Sequence, residues 1–201
     1  MKVLEKRERS LGIKLSIKGD RCGSPKCALI RKPYRPGQHG KKRRKLSEYG
    51  IQPREKQKIR FSYGLTEKQL EKVFKEAEKK PDVTAEEVMA MLESRLDNTV
   101  FRLGFAPSRG AAKQFVGHGH FTVNGRKVTI PSYRVRVGDK IGVRADSKDH
   151  PSLKELGDKL KLVEVPTWLN LDKNELTATV IGRPTDVPQP FDMNIVVDFY
   201  S

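Results

Sequence analysis

The stretch Phe121-Thr122-Val123-Asn124-Gly125-Arg126-Lys127-Val128 alternates apolar and polar residues around an Asn-Gly pair. Asn-Gly is the pair that a two-residue type I′ turn prefers, because both central residues of that turn need a positive φ. The stretch therefore predicts an antiparallel hairpin that carries the two cations Arg126 and Lys127 directly after its turn.

Downstream of the hairpin, residues 133–143 repeat the alternating pattern around a Gly-Asp pair, which predicts a second hairpin. Successive side chains of a strand point to opposite faces. We therefore expect Val135 and Val137 on one face of this segment, and Arg134 and Arg136 on the other.

Upstream of the hairpin, a short helix is predicted from Arg109 to about Val116, with Ser108 at its start. Arg109 and Lys113 are four residues apart and share one face of that helix. Ser108 is expected to leave an exposed helix N-terminus, where backbone N–H groups favour a phosphate.

Capping signals predict three helices in the first half of the chain. Thr66–Gln69 and Thr84–Glu87 have the capping-box pattern, and the helix that begins at Thr84 should run on to Gly104. Arg95 and Arg102 would lie on that helix, opposite much of its apolar face. Ser47 is expected to cap an earlier helix that carries Arg54, Lys56, Lys58 and Arg60.

The last quarter of the chain gives weaker signals. Residues 146–160 are polar and predict a helical or loop insertion, whereas 176–181 predict a further strand. The apolar end, residues 195–201, is expected to dock against the protein.

Charge is unevenly distributed along the 201 residues, which carry a formal net charge of +16. Residues 1–65 have a net charge of +15 and residues 91–145 of +7, while the segments after each of them are mildly acidic. Phosphate binding needs many cations within about 8–10 Å of one polyanion, so this segregation predicts a nucleic-acid partner. With two cysteines, no signal-peptide core and no long apolar run, we expect a soluble protein of the reducing interior, away from membranes.

Residues 1–45 combine turn-forming Pro and Gly with the cationic run Lys41–Lys45. One interpretation is a disordered basic tail. We prefer a loop-rich segment that becomes ordered on its partner, because Tyr34, Tyr49 and the Pro-Gly turns exceed what a tail needs.

His118 and His120 flank Gly119 and could serve as metal ligands, as acid–base groups or as rings that stack on RNA. No carboxylate pair or nucleophile accompanies them, which argues against metal binding and catalysis.

Several motifs together resemble the small-subunit ribosomal protein four family, in its bacterial and organellar form. They include Arg95-Leu96-Asp97-Asn98, Phe101–Ala106, Ser108-Arg109, Ala112–Val116, His118-Gly119-His120, Val123-Asn124-Gly125 and Ile130–Tyr133 in the family's RNA-binding module, and Arg35–Gly40, Lys45–Gly50, Arg54–Lys58, Tyr63-Gly64 and Val197–Ser201 elsewhere. The resemblance runs nearly end to end.

The resemblance implies an α+β fold with three parts: a basic, loop-rich N-terminal extension (1–45), a mainly helical domain (46–91 completed by 180–201), and an inserted helix-plus-antiparallel-sheet RNA-binding module (92–179). It implies a non-enzymatic, ribosome-bound protein of the cytoplasm or an organelle matrix. Such a protein would bind a multi-helix junction of small-subunit rRNA and nucleate assembly of the subunit body. It would contact protein five at an interface tied to translational accuracy, and lie near the path by which messenger RNA enters.

Charge pattern and resemblance together predict a set of rRNA-binding residues. They are Arg31, Lys32, Arg35, Lys41, Lys42, Arg43, Arg44, Lys45, Tyr49, Arg54, Lys56, Lys58, Arg60, Arg95, Arg102, Ser108, Arg109, Lys113, His118, Arg126, Lys127, Arg134 and Arg136.

Cys22 and Cys27 correspond to half of a zinc knuckle that some relatives complete. Glu5 and Glu8 stand where those relatives have the other two cysteines, and two exposed glutamates would make a poor zinc site. We expect no cofactor and two free thiols, with Cys22 and Cys27 as weak zinc candidates and His39 as the only other ligand nearby.

Two other functions use the same features. An RNA-modifying enzyme with the same module would need a separate catalytic domain, for which the remaining chain is short and helical. A general nucleic-acid chaperone would lack the specific module and would bind duplex DNA as well as RNA.

Overall fold

The computed structural model describes residues 4–42, 47–79, 85–147, 150–154, 160, 163–184 and 190–200. The predicted α+β class is confirmed. The chain divides into two compact units, a first of residues 1–88 with 188–201 and a second of residues 89–187. The division at residues 45, 91 and 179 stays a prediction.

In chain order the described helices are α1 (Lys6–Leu11), α2 (Asp20–Gly23), α3 (Ala28–Arg31), α4 (Glu48–Ser62), α5 (Glu67–Ala77), α6 (Ala85–Glu93), α7 (Leu96–Arg102), α8 (Arg109–His118), α9 (Pro151–Lys154) and α10 (Met193–Tyr200). The described strands are β1 (Phe121–Val123), β2 (Arg126–Lys127), β3 (Lys140–Val143), β4 (Leu169–Asp172) and β5 (Thr177–Val180). A 3₁₀ turn covers Ala145–Ser147.

Two helices of the first unit begin where the sequence predicts. The Ser47 hydroxyl accepts a hydrogen bond from Gly50 N at 3.2 Å, which caps α4. Thr66 and Gln69 form the reciprocal capping box of α5, so two otherwise unpaired backbone N–H groups are satisfied.

The apolar C-terminal segment docks within the first unit as helix α10. The ring of Tyr200 stacks on that of Phe74 with centroids 4.3 Å apart, and Val196 is fully buried. Burial, and then the nearby carboxylate of Glu67, raise the pKa of Tyr200 well above its ordinary value. The hydroxyl therefore stays protonated and donates to Glu67 Oε1 at 3.3 Å.

The single helix predicted up to Gly104 is wrong, because α6 and α7 are separate. Arg95 between them has extended backbone angles (φ −68°, ψ 137°) and forms a β-bridge with Arg134. Val135 N donates to Ser94 O at 2.9 Å, so pairing with a distant segment interrupts the helix. Gly104 follows the end of α7 with a φ of +78°, as its predicted stop requires, whereas Thr84 lies outside the described residues.

The second unit is built on an antiparallel sheet with strand order β2-β1-β3-β5-β4. The predicted hairpin forms β1 and β2, and its turn residues Asn124 and Gly125 have φ values of +50° and +77°, as a type I′ turn requires. One face of the sheet packs on α7 and α8, where Phe105 and Phe121 stack and Trp168 is buried. This packing leaves the β1–β2 turn at the surface.

The second predicted hairpin is wrong, since only Lys140–Val143 of that segment is a strand. Asp139 N donates to Arg136 O and Arg136 N to Asp139 Oδ2, which makes a tight turn. The turn breaks the alternation: Val135 is 6% exposed, but Val137 is 63% exposed. Val137 therefore lies at the surface beside Arg136.

Candidate nucleic-acid interface

The β1–β2 hairpin holds Arg126 and Lys127 at the surface, both exposed. The side chain of Asn124 joins the β1–β2 turn to the start of β3, because it donates to Asp139 Oδ1 at 2.8 Å and accepts from Lys140 N at 2.8 Å. These two hydrogen bonds orient the hairpin that carries Arg126 and Lys127.

Lys127 extends from the hairpin across the end of α8. A Cβ added to Gly119 would lie 2.2 Å from Lys127 Cε and 3.1 Å from its Nζ. Gly119 also has a φ of +78° and caps α8. The left-handed backbone favours glycine there, and a side chain would also displace the end of Lys127. The same loop bears His118, which is exposed.

Two further exposed cations belong to the same unit. Arg136 lies in the tight turn before β3, and Lys140 begins β3 with its side chain 61% exposed. Lys140 Nζ lies 4.0 Å from Glu175 Oε2, a loose contact. We define the hairpin surface as Arg126, Lys127, Arg136 and Lys140.

By contrast, the arginines around α7 are engaged inside the second unit. Glu93 is fully buried, and its carboxylate accepts from Arg102 Nε at 2.9 Å and Arg102 Nη2 at 2.8 Å. Asn98 Nδ2 donates to Glu93 Oε2 at 2.7 Å, and Asn98 Oδ1 accepts from Arg109 Nε at 2.7 Å. The Arg102–Glu93 pair is therefore a bidentate contact in a connected network.

Arg95 and Arg109 are held in the same way. Arg95 is buried, and its guanidinium makes two bonds to Asp97, at 3.2 and 3.0 Å. The guanidinium of Arg109 also lies 4.7 Å from the ring centre of Phe101. We define the arginine network as Glu93, Arg95, Asp97, Asn98, Arg102 and Arg109. Its arginines are predicted RNA contacts, and the structure gives each of them an intramolecular partner.

The remaining predicted residues of the second unit are in intermediate settings. Lys113 and Arg134 are half-buried. Ser108 is buried, and its hydroxyl accepts from Ala111 N at 3.2 Å, so Ser108 caps α8. The sequence predicts an exposed helix N-terminus at this position, but the capping hydroxyl occupies part of it.

The predicted cations of α4 contact their own unit. Arg54 donates to the backbone oxygen of Leu11. Lys58 pairs with Glu55, and Lys56 and Arg60 both pair with Glu67, at 2.7 and 3.0 Å. Burial opposes ionisation of Glu67, but Lys56 and Arg60 outweigh it and hold the pKa of that carboxyl below its ordinary value. Arg54 thus joins α4 to α1, and Lys56 and Arg60 join it to α5.

The N-terminal segment leaves more of its charge at the surface. Arg31, Lys32, Lys41 and Lys42 are exposed, and Tyr49 is 75% exposed. Arg35 is half-buried. Arg43, Arg44 and Lys45 lie outside the described residues.

The two weak zinc candidates are both buried free thiols. Burial raises the pKa of Cys22; the backbone N–H of Lys18 opposes this, and Glu8, Cys27 and Glu5 add to it, so the protonated thiol is favoured over the metal-binding thiolate. The expected exposure of Glu8 is wrong: it is fully buried and accepts from Leu15 N at 2.9 Å. Within the described ranges, no group of three or more His, Cys, Asp or Glu is arranged to hold a metal ion.

Sequence reasoning missed several residues that shape this interface. Lys140 is an exposed cation that charge counting alone would have found. Glu93 and Asn98 give no local signal, because their partners Arg102 and Arg109 are identified only by the folding of α6, α7 and α8 together.

Two family descriptions together match residues 4–141. Residues 4–93 match the Ribosomal protein S4/S9 N-terminal domain, and residues 94–141 match the S4 domain, which contains the hairpin surface. These two matches define the class of protein: a ribosomal protein with an RNA-binding S4 domain.

Curated relatives extend the match over almost the whole chain. Small ribosomal subunit protein uS4 of Pelotomaculum thermopropionicum is 48% identical over 195 residues, and that of Heliobacterium modesticaldum is 50% identical over 195; each alignment covers 96% of this chain and 94% of the relative. The protein of Gloeobacter violaceus is 49% identical with the same coverage. The chain belongs to the small ribosomal subunit protein uS4 family, in its bacterial type, and is a ribosomal protein, not an enzyme.

Among the described helices, none has the length and apolar character needed to cross a bilayer.

Proposed function

We propose that this protein is a primary rRNA-binding protein of the small subunit. It binds a multi-helix junction of the rRNA and helps to nucleate assembly of the subunit body. The observation that carries the proposal is the hairpin surface, where four exposed cations lie on β2, in the turn before β3 and at the start of β3, within the S4 domain. The exposed cations Arg31, Lys32, Lys41 and Lys42 provide a second basic region in the first unit.

The chemistry of these regions suits folded RNA better than a DNA groove. The accessible surface of an A-form helix consists of backbone, 2′-hydroxyls and a shallow groove, which short cationic turns contact more readily than a recognition helix does. Neutralised phosphates release counterions, so affinity should fall steeply as salt rises.

Family membership supports the finer parts of the proposal. In the cytoplasmic ribosome the protein would contact small-subunit protein five at an interface tied to translational accuracy, and would lie near the path by which messenger RNA enters. It would act as a structural constituent without membrane contact. A general RNA chaperone and an RNA-modifying protein are the competing functions.

The proposal is tested by reversing Arg43 and Arg44 to Glu and titrating a transcript of bacterial small-subunit rRNA at 0.15 M salt. Both residues lie outside the described ranges and carry the predicted N-terminal anchor. Because several phosphate contacts would be lost, we expect about a 10- to 100-fold weaker complex. Chemical footprinting of the wild-type complex should show protection confined to one multi-helix junction.

The matched control reverses Lys68 and Lys72, two exposed cations of α5 outside the predicted site, to Glu. An equal loss in both double variants would mean that only net charge matters. Equal competition by random duplex DNA would favour a chaperone and overturn the proposal.

A further inference from the structure

Three of the four histidines in the chain gather at one end of the second unit. The ring centres of His118 and His120 lie 5.9 Å apart, and those of His120 and His150 lie 4.8 Å apart. His118 ends α8, His120 precedes β1, and His150 follows the 3₁₀ turn, so the fold brings together residues that are 32 positions apart.

The middle ring is fixed by its surroundings. His120 is half-buried, its Nδ1 lies 3.0 Å from the hydroxyl of buried Ser147, and its ring meets Phe115 edge-on. His118 and His150 on either side are exposed. The cluster therefore has one anchored imidazole flanked by two that reach solvent.

Permanent cations border the cluster. Lys127 Nζ would lie 3.1 Å from a Cβ placed on Gly119, the residue that separates His118 from His120 in the sequence, and Arg144 follows β3. The charges that act on His120 come from His150, His118 and Arg144. Asp146, a carboxylate of the described part of this loop, pairs with Arg144. Among the described groups that face His120, cationic and protonatable side chains thus predominate.

This arrangement resists protonation in the absence of an anion. Burial lowers the pKa of His120, and the neighbouring His150, His118 and Arg144 lower it further. A phosphate placed among these rings would reverse that effect, because it favours the charged imidazolium.

The geometry favours an anion over a metal ion. A tetrahedral metal site needs ring nitrogens that converge on one point. Within the described residues no three His, Cys, Asp or Glu side chains do so. Two cations at the border would also repel a metal ion, whereas they attract a phosphate.

We propose that His118, His120 and His150, with Lys127 and Arg144, form a protonation-linked site for an RNA backbone phosphate. The site rests on the proposed rRNA-binding function and adds a pH dependence to it. Because a bound phosphate favours the charged imidazolium, the complex should tighten as pH falls.

The test compares wild-type protein with the double variant His118→Gln/His150→Gln, which leaves the anchored ring of His120 in place. Affinity for a bacterial small-subunit rRNA transcript is measured at pH 5.8 and 7.8 and constant ionic strength. A rise of one unit in a single imidazole pKa on binding corresponds to about a ten-fold tighter complex. We expect wild-type affinity to rise about ten-fold at the lower pH, and the double variant to lose most of that rise.

His39→Gln is the matched control, because His39 is the remaining histidine and belongs to the first unit. An equal pH ratio in wild type and the double variant, or an equal loss in the His39 variant, would overturn the site. Failure of wild type to bind the transcript at either pH would instead overturn the proposed function.

A second readout does not depend on RNA. The imidazole pKa values of the full-length protein are measured by NMR in sodium sulfate and in sodium chloride of equal ionic strength. Sulfate should raise the pKa values of the three clustered histidines and leave that of His39 unchanged. A uniform response of all four, or tight Zn²⁺ binding by the cluster with no sulfate effect, would contradict an anion site.

Discussion

Arg102 and Arg126 carry the same guanidinium group within the same compact unit, yet Arg102 pairs inside the protein and Arg126 is exposed. Arg102 ends α7 and makes two bonds to a fully buried carboxylate, whereas Arg126 stands exposed after a two-residue turn. The arginine network and the hairpin surface are thus two different sets of basic residues, one paired inside the protein and one exposed, while Lys113 and Arg134 belong to neither. The difference teaches that a cation count locates a binding unit, but the carboxylates decide which cations remain available.

The network has a physical reason to hold its arginines. Glu93 is surrounded by protein, and a carboxylate removed from water is stable only if charged donors replace its hydration. Arg102 provides two of those donors and Asn98 a third, while Asn98 in turn orients Arg109. The connected bonds fix α6, α7 and α8 relative to one another, and α8 leads directly into β1 of the hairpin.

The largest expected effect comes from Arg102→Ala, which leaves Glu93 buried without its main partner. Breaking one side of a buried ion pair costs about 3–5 kcal/mol, so the free energy of unfolding should fall by roughly that amount. Urea denaturation followed by circular dichroism measures it. Arg136→Ala, at an exposed site, should change it by no more than about 0.5 kcal/mol. Equal losses in the two variants would erase the distinction between the sets.

The second-largest expected effect concerns the RNA affinity of the hairpin surface. Arg126→Glu/Lys127→Glu places two negative charges on the hairpin surface, and affinity for a small-subunit rRNA transcript should fall about 100-fold at 0.15 M salt. Thermal unfolding should remain close to that of wild type, because both side chains are exposed. The control is again Lys68→Glu/Lys72→Glu, and an equal affinity loss there would deny the hairpin a specific role.

The smallest effect concerns Ser108, which belongs to neither set. Ser108→Ala removes the cap of α8 and should lower the free energy of unfolding by about 1 kcal/mol. Ser108→Asp keeps a capping oxygen and adds a negative charge, so its stability should be near wild type. If α8 also receives a phosphate at this end, the Asp variant alone should bind the rRNA transcript more weakly, which separates capping from RNA contact.

Much of the local structure was predictable because its signals are short in range. The turn at Asn124-Gly125, the cap at Ser47 and the capping box of Thr66 all depend on residues within four positions of one another, and all three are confirmed. The candidate site was less predictable. No local sequence pattern distinguishes the arginines of the arginine network from the cations of the hairpin surface.

The two wrong predictions have different origins. The break between α6 and α7 arises where residues 94–96 pair with residues 133–135, a long-range pairing that neither segment shows by itself. The alternation is lost at Val137 because Arg136 and Asp139 form a tight turn after that pairing. Long-range pairing thus overrode a helical pattern, and a local turn overrode a strand pattern.

The sequence by itself determined the hairpin and the excess of positive charge, which follow from neighbouring residues and from composition. Its motifs determined the family and, through that resemblance, the α+β class. Only the tertiary structure decided that Arg95, Arg102 and Arg109 have internal partners, that Arg126 and Lys127 stay at the surface, and that three histidines meet. The reason is that burial and charge pairing depend on distance in space, and distance in space between remote residues is set by packing.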